Sequence, residues 1–163
     1  MKRVDLVVIE EIRQLKFRYL RTLDLKQWDA FAETFVPEAT ADYGDGLVFD
    51  DRDAIVAFMR ESLGPQMITV HFCHHPEITL EPDGAEGVAD RALGRWYLED
   101  KVIMPEHRLI LEGAAFYDDE YVRTPDGWRI SRTGHRRTYE VTMSMDGIEG
   151  YRLRIGTAYD EPG

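Results

Sequence analysis

The chain has 163 residues, 44% of them hydrophobic and 31% charged, a size that buries about two thirds of the unfolded surface in one core and a composition unlike that of disordered or membrane-embedded chains. Its 31 acidic against 20 basic residues give a formal charge of −11, which repels polyphosphate and excludes nucleic acid as an expected partner. Cys73 is the single cysteine, charges interrupt the apolar residues of the N-terminal stretch, and no run approaches the ~20 apolar residues of a membrane span, so a cytoplasmic protein with no membrane partner is expected.

From Val8 the apolar residues Val8, Ile12, Leu15, Tyr19 and Leu23 recur at helical spacing and predict a first helix with Tyr19 on its inner face. Asp24 followed by Gln27 reads as a capping box, opening a second helix through Trp28, Phe31 and Phe35 that ends at Pro37. A strand over residues 39–43, a turn at Gly44-Asp45-Gly46 and a strand over residues 47–49 predict a hairpin. Asp50 and Asp51 suit the start of a third helix with the stripe Ile55, Phe58, Met59 and Leu63, ended by Gly64-Pro65.

Residues 68–80, 87–103, 108–122 and 128–143 then read as four long strands of a meander, separated by Pro- and Gly-containing turns. Their length predicts bulges or bends at Gly94, Gly113 and Gly134, the means by which a sheet curls around a pocket. The expected fold is α+β: a cone-shaped barrel in which three N-terminal helices pack on a strongly curved, mostly antiparallel sheet. Residues 1–145 form the domain, and residues 146–163, rich in glycine and poor in large apolar side chains, form a tail or an arm for a neighbouring subunit.

Several polar residues fall where chemistry is possible. Tyr19 on an apolar helix face is either a proton donor in a dry cavity or a buried tyrosine bonded to a neighbouring carbonyl. Asp24 is a helix cap, a carboxylate able to orient an imidazole, or both. Strand parity places His71, Cys73, His75 and Glu77 on one face and His74 on the other, and His71 and His75 lie ~13 Å apart along the strand, too far to share one ion. No metal site is therefore expected, and a histidine paired with an aspartate near neutral pH points instead to proton transfer. His135 and Arg137 share a strand face, where Arg137 is a ligand clamp or half of a buried ion pair. Asp100 is a site residue or a turn residue.

Five stretches in this order resemble the SnoaL-like branch of the nuclear-transport-factor-2-like superfamily: Arg18-Tyr19-Leu20 to Leu23-Asp24 and Trp28-Asp29; His71 to Ile78; Gly94 to Asp100; Gly113 to Tyr117; and Thr133-Gly134 before Arg137. Within that branch the chain is most similar to bacterial bile acid 7α-dehydratases, and more distantly to scytalone dehydratases. The resemblance implies a catalytic set of Tyr19, Asp24, His71 and Arg137, with Asp100, His135, Trp96 and Phe116 on the substrate side. It implies a lyase that uses no cofactor and eliminates water from a bulky apolar hydroxylated compound, steroid-like or polycyclic, free or as a coenzyme A thioester. Alternatives within the same fold are a ketosteroid-isomerase or polyketide-cyclase type of reaction, a ligand-binding module, and the small subunit of a ring-hydroxylating dioxygenase. Relatives associate through the outer sheet face, so a homo-oligomer is expected, with a trimer favoured over a dimer.

Overall fold

The computed structural model describes residues 3–81 and 89–154, with side chains from Asp5 onward. Helix α1 spans Arg3–Asp24, α2 spans Trp28–Ala32, and β1 (Phe35–Asp42) leads by a tight turn into β2 (Val48–Phe49). Helix α3 (Arg52–Ser62) precedes β3 (Ile68–Glu81), β4 (Arg91–Met104), β5 (Leu109–Thr124) and β6 (Gly127–Ser144). The six strands form one sheet in the order β2-β1-β6-β5-β4-β3, antiparallel throughout except where β1 runs parallel to β6. Three helices on a six-stranded, mostly antiparallel sheet make an α+β fold. None of the described helices is long and apolar enough to cross a membrane.

Helix α1 buries Val8, Ile12, Leu15, Lys16, Tyr19, Leu20 and Leu23, a stripe wide enough to face both the sheet and α2. Fully burying a large apolar side chain contributes about 1.5–3 kcal/mol, so this stripe fixes the helix across the sheet. Below it, β4 alternates strictly: Ala92, Trp96, Leu98 and Asp100 are buried, while Arg91, Leu93, Arg95, Tyr97 and Glu99 are exposed. Asp51 caps α3 as expected, its carboxylate accepting from Ala54 N at 2.7 Å.

The first departure from the sequence reading is at Asp24. It is the last residue of α1 and not the cap of α2, whose own N-cap, Gln27, makes no side-chain capping bond. The second helix is only five residues long, because the chain turns into β1 at Phe35 and Pro37 lies within that strand. Asp24 is thereby released from capping and turned toward β3.

The bulges also fall elsewhere than expected. In β3 the pair His75-Pro76 stands opposite the single residue Trp96, with His75 at φ 47°, and β6 carries extra residues at Ser131 and Thr138. The β3 bulge resets strand parity. His71 and Cys73 face inward, but His75 and Glu77 turn out to solvent and Ile78 takes the inward place. The glycines serve close approach instead: a Cβ at Gly113 would stand 2.6 Å from Arg137 Nη1 and 3.1 Å from Asp100 Oδ1, and one at Gly134 would meet the Asp42 carbonyl. Beyond β6, Met145–Gly147 forms a short 3-10 turn in which Met145 is buried. Of the expected tail, residues 148–154 follow without helix or strand, and residues 155–163 lie outside the described residues.

Candidate active site

The inward residues of neighbouring strands line up in rows. His71 of β3 faces Asp100 of β4, which in turn faces Gly113 of β5. The next row holds Cys73, Leu98, Ala115 and Arg137, and the one after it Trp96, Tyr117 and His135. Helix α1 lies over the sheet and brings Tyr19 and, at its C-terminus, Asp24.

Asp24 and His71 form the tightest constellation. Asp24 Oδ1 is 2.6 Å from His71 Nδ1, Oδ2 accepts from the His71 backbone N–H at 2.9 Å, and Thr69 Oγ1 donates to Oδ1 at 2.8 Å. Lys26 Nζ donates to Thr69 Oγ1 at 2.8 Å, so the hydroxyl relays an ammonium's influence to the carboxylate. A carboxylate so placed accepts the Nδ1 proton, which leaves the Nε2 lone pair as a base. Both side chains are mostly buried, 10% exposed for His71 and 17% for Asp24, so the pair is little screened by water. Burial pulls Lys26 down to about 8, against the upward pull of the Asp24 charge.

Tyr19 is fully buried, its ring packed on Phe31, Phe35 and Tyr117. Its hydroxyl lies 3.3 Å from that of Tyr43, a residue the sequence reading did not single out. Tyr19 also shares a hydrogen bond with the Tyr117 hydroxyl, so the three hydroxyls form one cluster, and two bonds among three donors leave one O–H for a ligand oxygen. Burial holds Tyr19, Tyr43 and Tyr117 well above the ordinary phenol range, so at neutral pH all three are donors and none is a base.

His135 lies against Tyr43 and Tyr117, with ring centroids 5.3 Å from each. Burial first, and the Arg137 charge second, lower its pKa to about 4, so the imidazole is neutral. Its buried Nδ1 has no hydrogen-bond partner among the described residues and is available to a bound molecule.

Of the two roles left open for Arg137, the structure shows the ion pair. Its guanidinium binds Asp100 by two parallel bonds of 2.5 and 2.7 Å. Burial would raise the Asp100 carboxyl, but the Arg137 bonds and charge outweigh it and hold the group below its ordinary range. Asp100 is buried in this pair and is not a turn residue.

Two expected lining residues stand apart from this cluster. Trp96 is buried, and its indole N–H is spent on Tyr121 Oη at 3.0 Å. Phe116 is 44% exposed on the outer face, edge-on to Tyr97 with ring centroids 4.8 Å apart; odd and even positions of β5 face opposite sides, and Phe116 has the opposite parity to inward Tyr117. Phe116 is therefore withdrawn from the pocket. Cys73 faces inward, but burial pushes its thiol up to about 11, which makes it a packing group and not a nucleophile. Thr69 and Lys26 went unnoticed in the sequence, although Thr69 sits two residues before His71 and so shares its face.

The chain belongs to the SnoaL-like domain family, whose sequence profile matches residues 5–134. An uncharacterised protein of Mycobacterium tuberculosis (strain H37Rv) is 28% identical over 134 residues, 82% of this chain and 87% of its own length. Among solved structures, a protein described as a scytalone dehydratase from Novosphingobium aromaticivorans superposes with TM-score 0.75 at 21% identity over 94% of each chain. The hexachlorocyclohexane dehydrochlorinase LinA-type3 of Novosphingobium barchaimii superposes with TM-score 0.74 at 18% identity, over 94% of this chain and 98% of its own. At these identities the superpositions show a shared fold.

Proposed function

We propose that the protein is a lyase that eliminates water from a bulky, apolar, hydroxylated ring compound, of steroid or bile-acid type or similarly polycyclic, by acid–base chemistry of its own side chains. The observation that carries this reading is the Asp24–His71 pair, with a 2.6 Å bond at Nδ1 and a second carboxylate oxygen on the His71 backbone N–H. Such a pair fixes both the ring orientation and the tautomer of a base. His71 Nε2 takes a proton from a carbon next to a carbonyl, the C–H electrons become the new C=C bond, and the C–O bond breaks. The tyrosine hydroxyls either give a proton to the departing hydroxyl, which leaves as water while the proton on His71 later restores the phenol, or hydrogen-bond the carbonyl oxygen while the His71 proton passes to the departing hydroxyl; Asp24 balances the imidazolium that forms. That structural neighbours are described as a dehydratase and a dehydrochlorinase, both eliminating enzymes by name, supports the reaction class.

The test is a mass-spectrometric screen of the purified protein against hydroxylated 3-oxo steroids and bile acyl coenzyme A thioesters. Loss of one water, with turnover lowered ~100-fold or more in both His71→Ala and Tyr19→Phe, is expected from the size of acid–base effects. Conversion without a mass change would instead identify an isomerase or cyclase, and saturable binding without conversion a binding module. The aromatic run Phe72, His74, His75, Tyr97 and Phe116 on the outer sheet face is the surface through which copies of the chain would associate, and a monomer by light scattering at micromolar concentration counts against it.

A further inference from the structure

A lysine on the inner stripe of α1 takes no part in the chemistry above. Lys16 is fully buried, as is the side chain of Asp119 on β5, and its ammonium stands 2.8 Å from Asp119 Oδ2. Asp119 is held from two further directions. Tyr121 Oη donates to Oδ2 at 2.7 Å, Thr133 Oγ1 donates to Oδ1 at 2.7 Å, and Trp96 Nε1 donates in turn to Tyr121 Oη at 3.0 Å. The carboxylate is fixed by this network, and it anchors the ammonium.

Aromatic rings surround the rest of the charge. Lys16 Nζ lies 3.5 Å from the ring centroid of Tyr117 and 4.5 Å from that of Tyr19. The contact with Asp119 is one of charge, and among the described residues no atom accepts a hydrogen bond from this ammonium. Stability alone is a poor explanation, since replacing a buried ion pair by apolar side chains of similar volume is often neutral or stabilising. What an apolar filler would not provide is a positive charge against the faces of two phenols whose hydroxyls belong to the acid side of the site.

A cation over an aromatic face is attracted by the ring's electron density. That density rises when the phenol gives its proton away, because the oxygen's charge spreads into the ring. The attraction is therefore stronger after proton donation than before it, and the phenol becomes the more acidic for it.

We propose that Lys16 is a positioning residue for proton donation: its ammonium, clamped by Asp119 against the Tyr117 and Tyr19 rings, favours negative charge on those phenol oxygens and strengthens the hydroxyl cluster as a donor to a ligand oxygen. The proposal rests on the reading of the Tyr19 cluster as the acid. Other ionisable groups acting on these tyrosines are Tyr43, Cys73 from β3, Asp119 from β5 and Arg137 from β6, with Asp100 of β4 and His135 of β6 coupled to Arg137. All but Asp119 are left unchanged in the test.

The experiment places 2,3,5-trifluorotyrosine, a phenol that ionises well below tyrosine, at position 117 and follows its titration by fluorine NMR in the protein free of ligand. Lys16→Met should raise the titration midpoint by about one pH unit or more, a tenfold loss of acidity. Since that variant leaves Asp119 buried without its cation and so threatens folding, Lys16→Met/Asp119→Asn carries the decision. With both charges gone, the midpoint should still rise, by less, because the ammonium lies over the ring, 3.5 Å from its centroid, while the Asp119 charge acts on Tyr117 in the opposite sense. A midpoint within about 0.3 unit of the parent in the double variant, a change of twofold or less, overturns the proposal and leaves the pair a structural one. Because the protein is free of ligand, this result is independent of whether it proves to be a lyase. A shifted midpoint in a protein without eliminating activity would reject the acid reading of Tyr19 and leave the effect of Lys16 standing.

Discussion

Replacing Asp24 by asparagine keeps the shape of the side chain and removes one acceptor. The carboxylate takes a ring proton and the Thr69 hydroxyl on Oδ1 and the His71 backbone N–H on Oδ2; the amide has one oxygen to serve both sides. A backbone N–H cannot change its proton, so the amide oxygen must stay there, which turns the NH2 group toward His71 Nδ1. The imidazole relieves that donor–donor contact by moving its proton to Nε2, and the base then has no lone pair facing the pocket. The expected cost to the fold is about 1.5–3 kcal/mol, the usual worth of a hydrogen bond to a charged group. The expected loss of turnover is ~10²–10⁴-fold, the range from a lost general base to a wrong tautomer. Long-range nitrogen–proton NMR of the His71 ring reads the tautomer directly. Should Nε2 stay unprotonated in Asp24→Asn and turnover stay within about threefold of the parent, the argument that Asp24 sets the base is refuted.

Gly113→Ala puts a methyl 2.6 Å from Arg137 Nη1 and should break the fork on Asp100, at about 2–3 kcal/mol after allowing for the partly exposed guanidinium; an unchanged urea midpoint would mean the sheet absorbs the group. Because the folded pKa of His135 is depressed from 6.5 to about 4, the unfolded chain binds the extra proton between those values, so the contribution of this site to stability is complete above pH 6.5 and is lost as pH falls toward 4. That loss is roughly 3 kcal/mol, and in His135→Phe the denaturation free energy should be flatter across this window. Asp51→Ala removes the cap on Ala54 N and should cost about 1 kcal/mol in thermal unfolding without altering turnover.

The helices and long strands were legible because their apolar residues repeat at the period of the element that carries them, and the packing then follows those repeats. The same periods placed Tyr19 on the inner face of its helix and His71 on one strand face with Cys73. Asp24 was read as a cap for α2 from a local pattern that competes with a tertiary contact, and the contact with His71 and Thr69, some 45 residues away in sequence, prevailed. A capping pattern cannot reveal such a partner. The single face read for His71, Cys73, His75 and Glu77 is split at a bulge, which shifts every later residue by one place. Tyr43, Lys16 and Asp119 were missed for different reasons. Tyr43 ends a strand read only as part of a hairpin, whereas Lys16 and Asp119 stand at inward positions among apolar neighbours, a charge at a core position of each element that a stricter reading of periodicity would have flagged.

The arrangement of these groups across the sheet also bears on the reaction. His71 projects from β3, the last strand of the sheet, whereas the rings that carry the donor hydroxyls pack around Tyr117 on β5, two strands away. Two strand spacings are roughly 10 Å between backbones, and inward side chains narrow that gap. A base that reaches a carbon-bound hydrogen and an acid that reaches an oxygen on the adjacent carbon each need about 3 Å of contact distance on opposite ends of an H–C–C–O unit. A base at the sheet edge and an acid at its centre meet that demand, whereas two groups on adjacent strands would crowd a ring substrate. The interior charges bear on the proposed elimination as well: Lys16 is matched by Asp119 and Arg137 by Asp100, while a proton taken by His71 would be balanced by Asp24, whose carboxylate also feels Lys26 through Thr69.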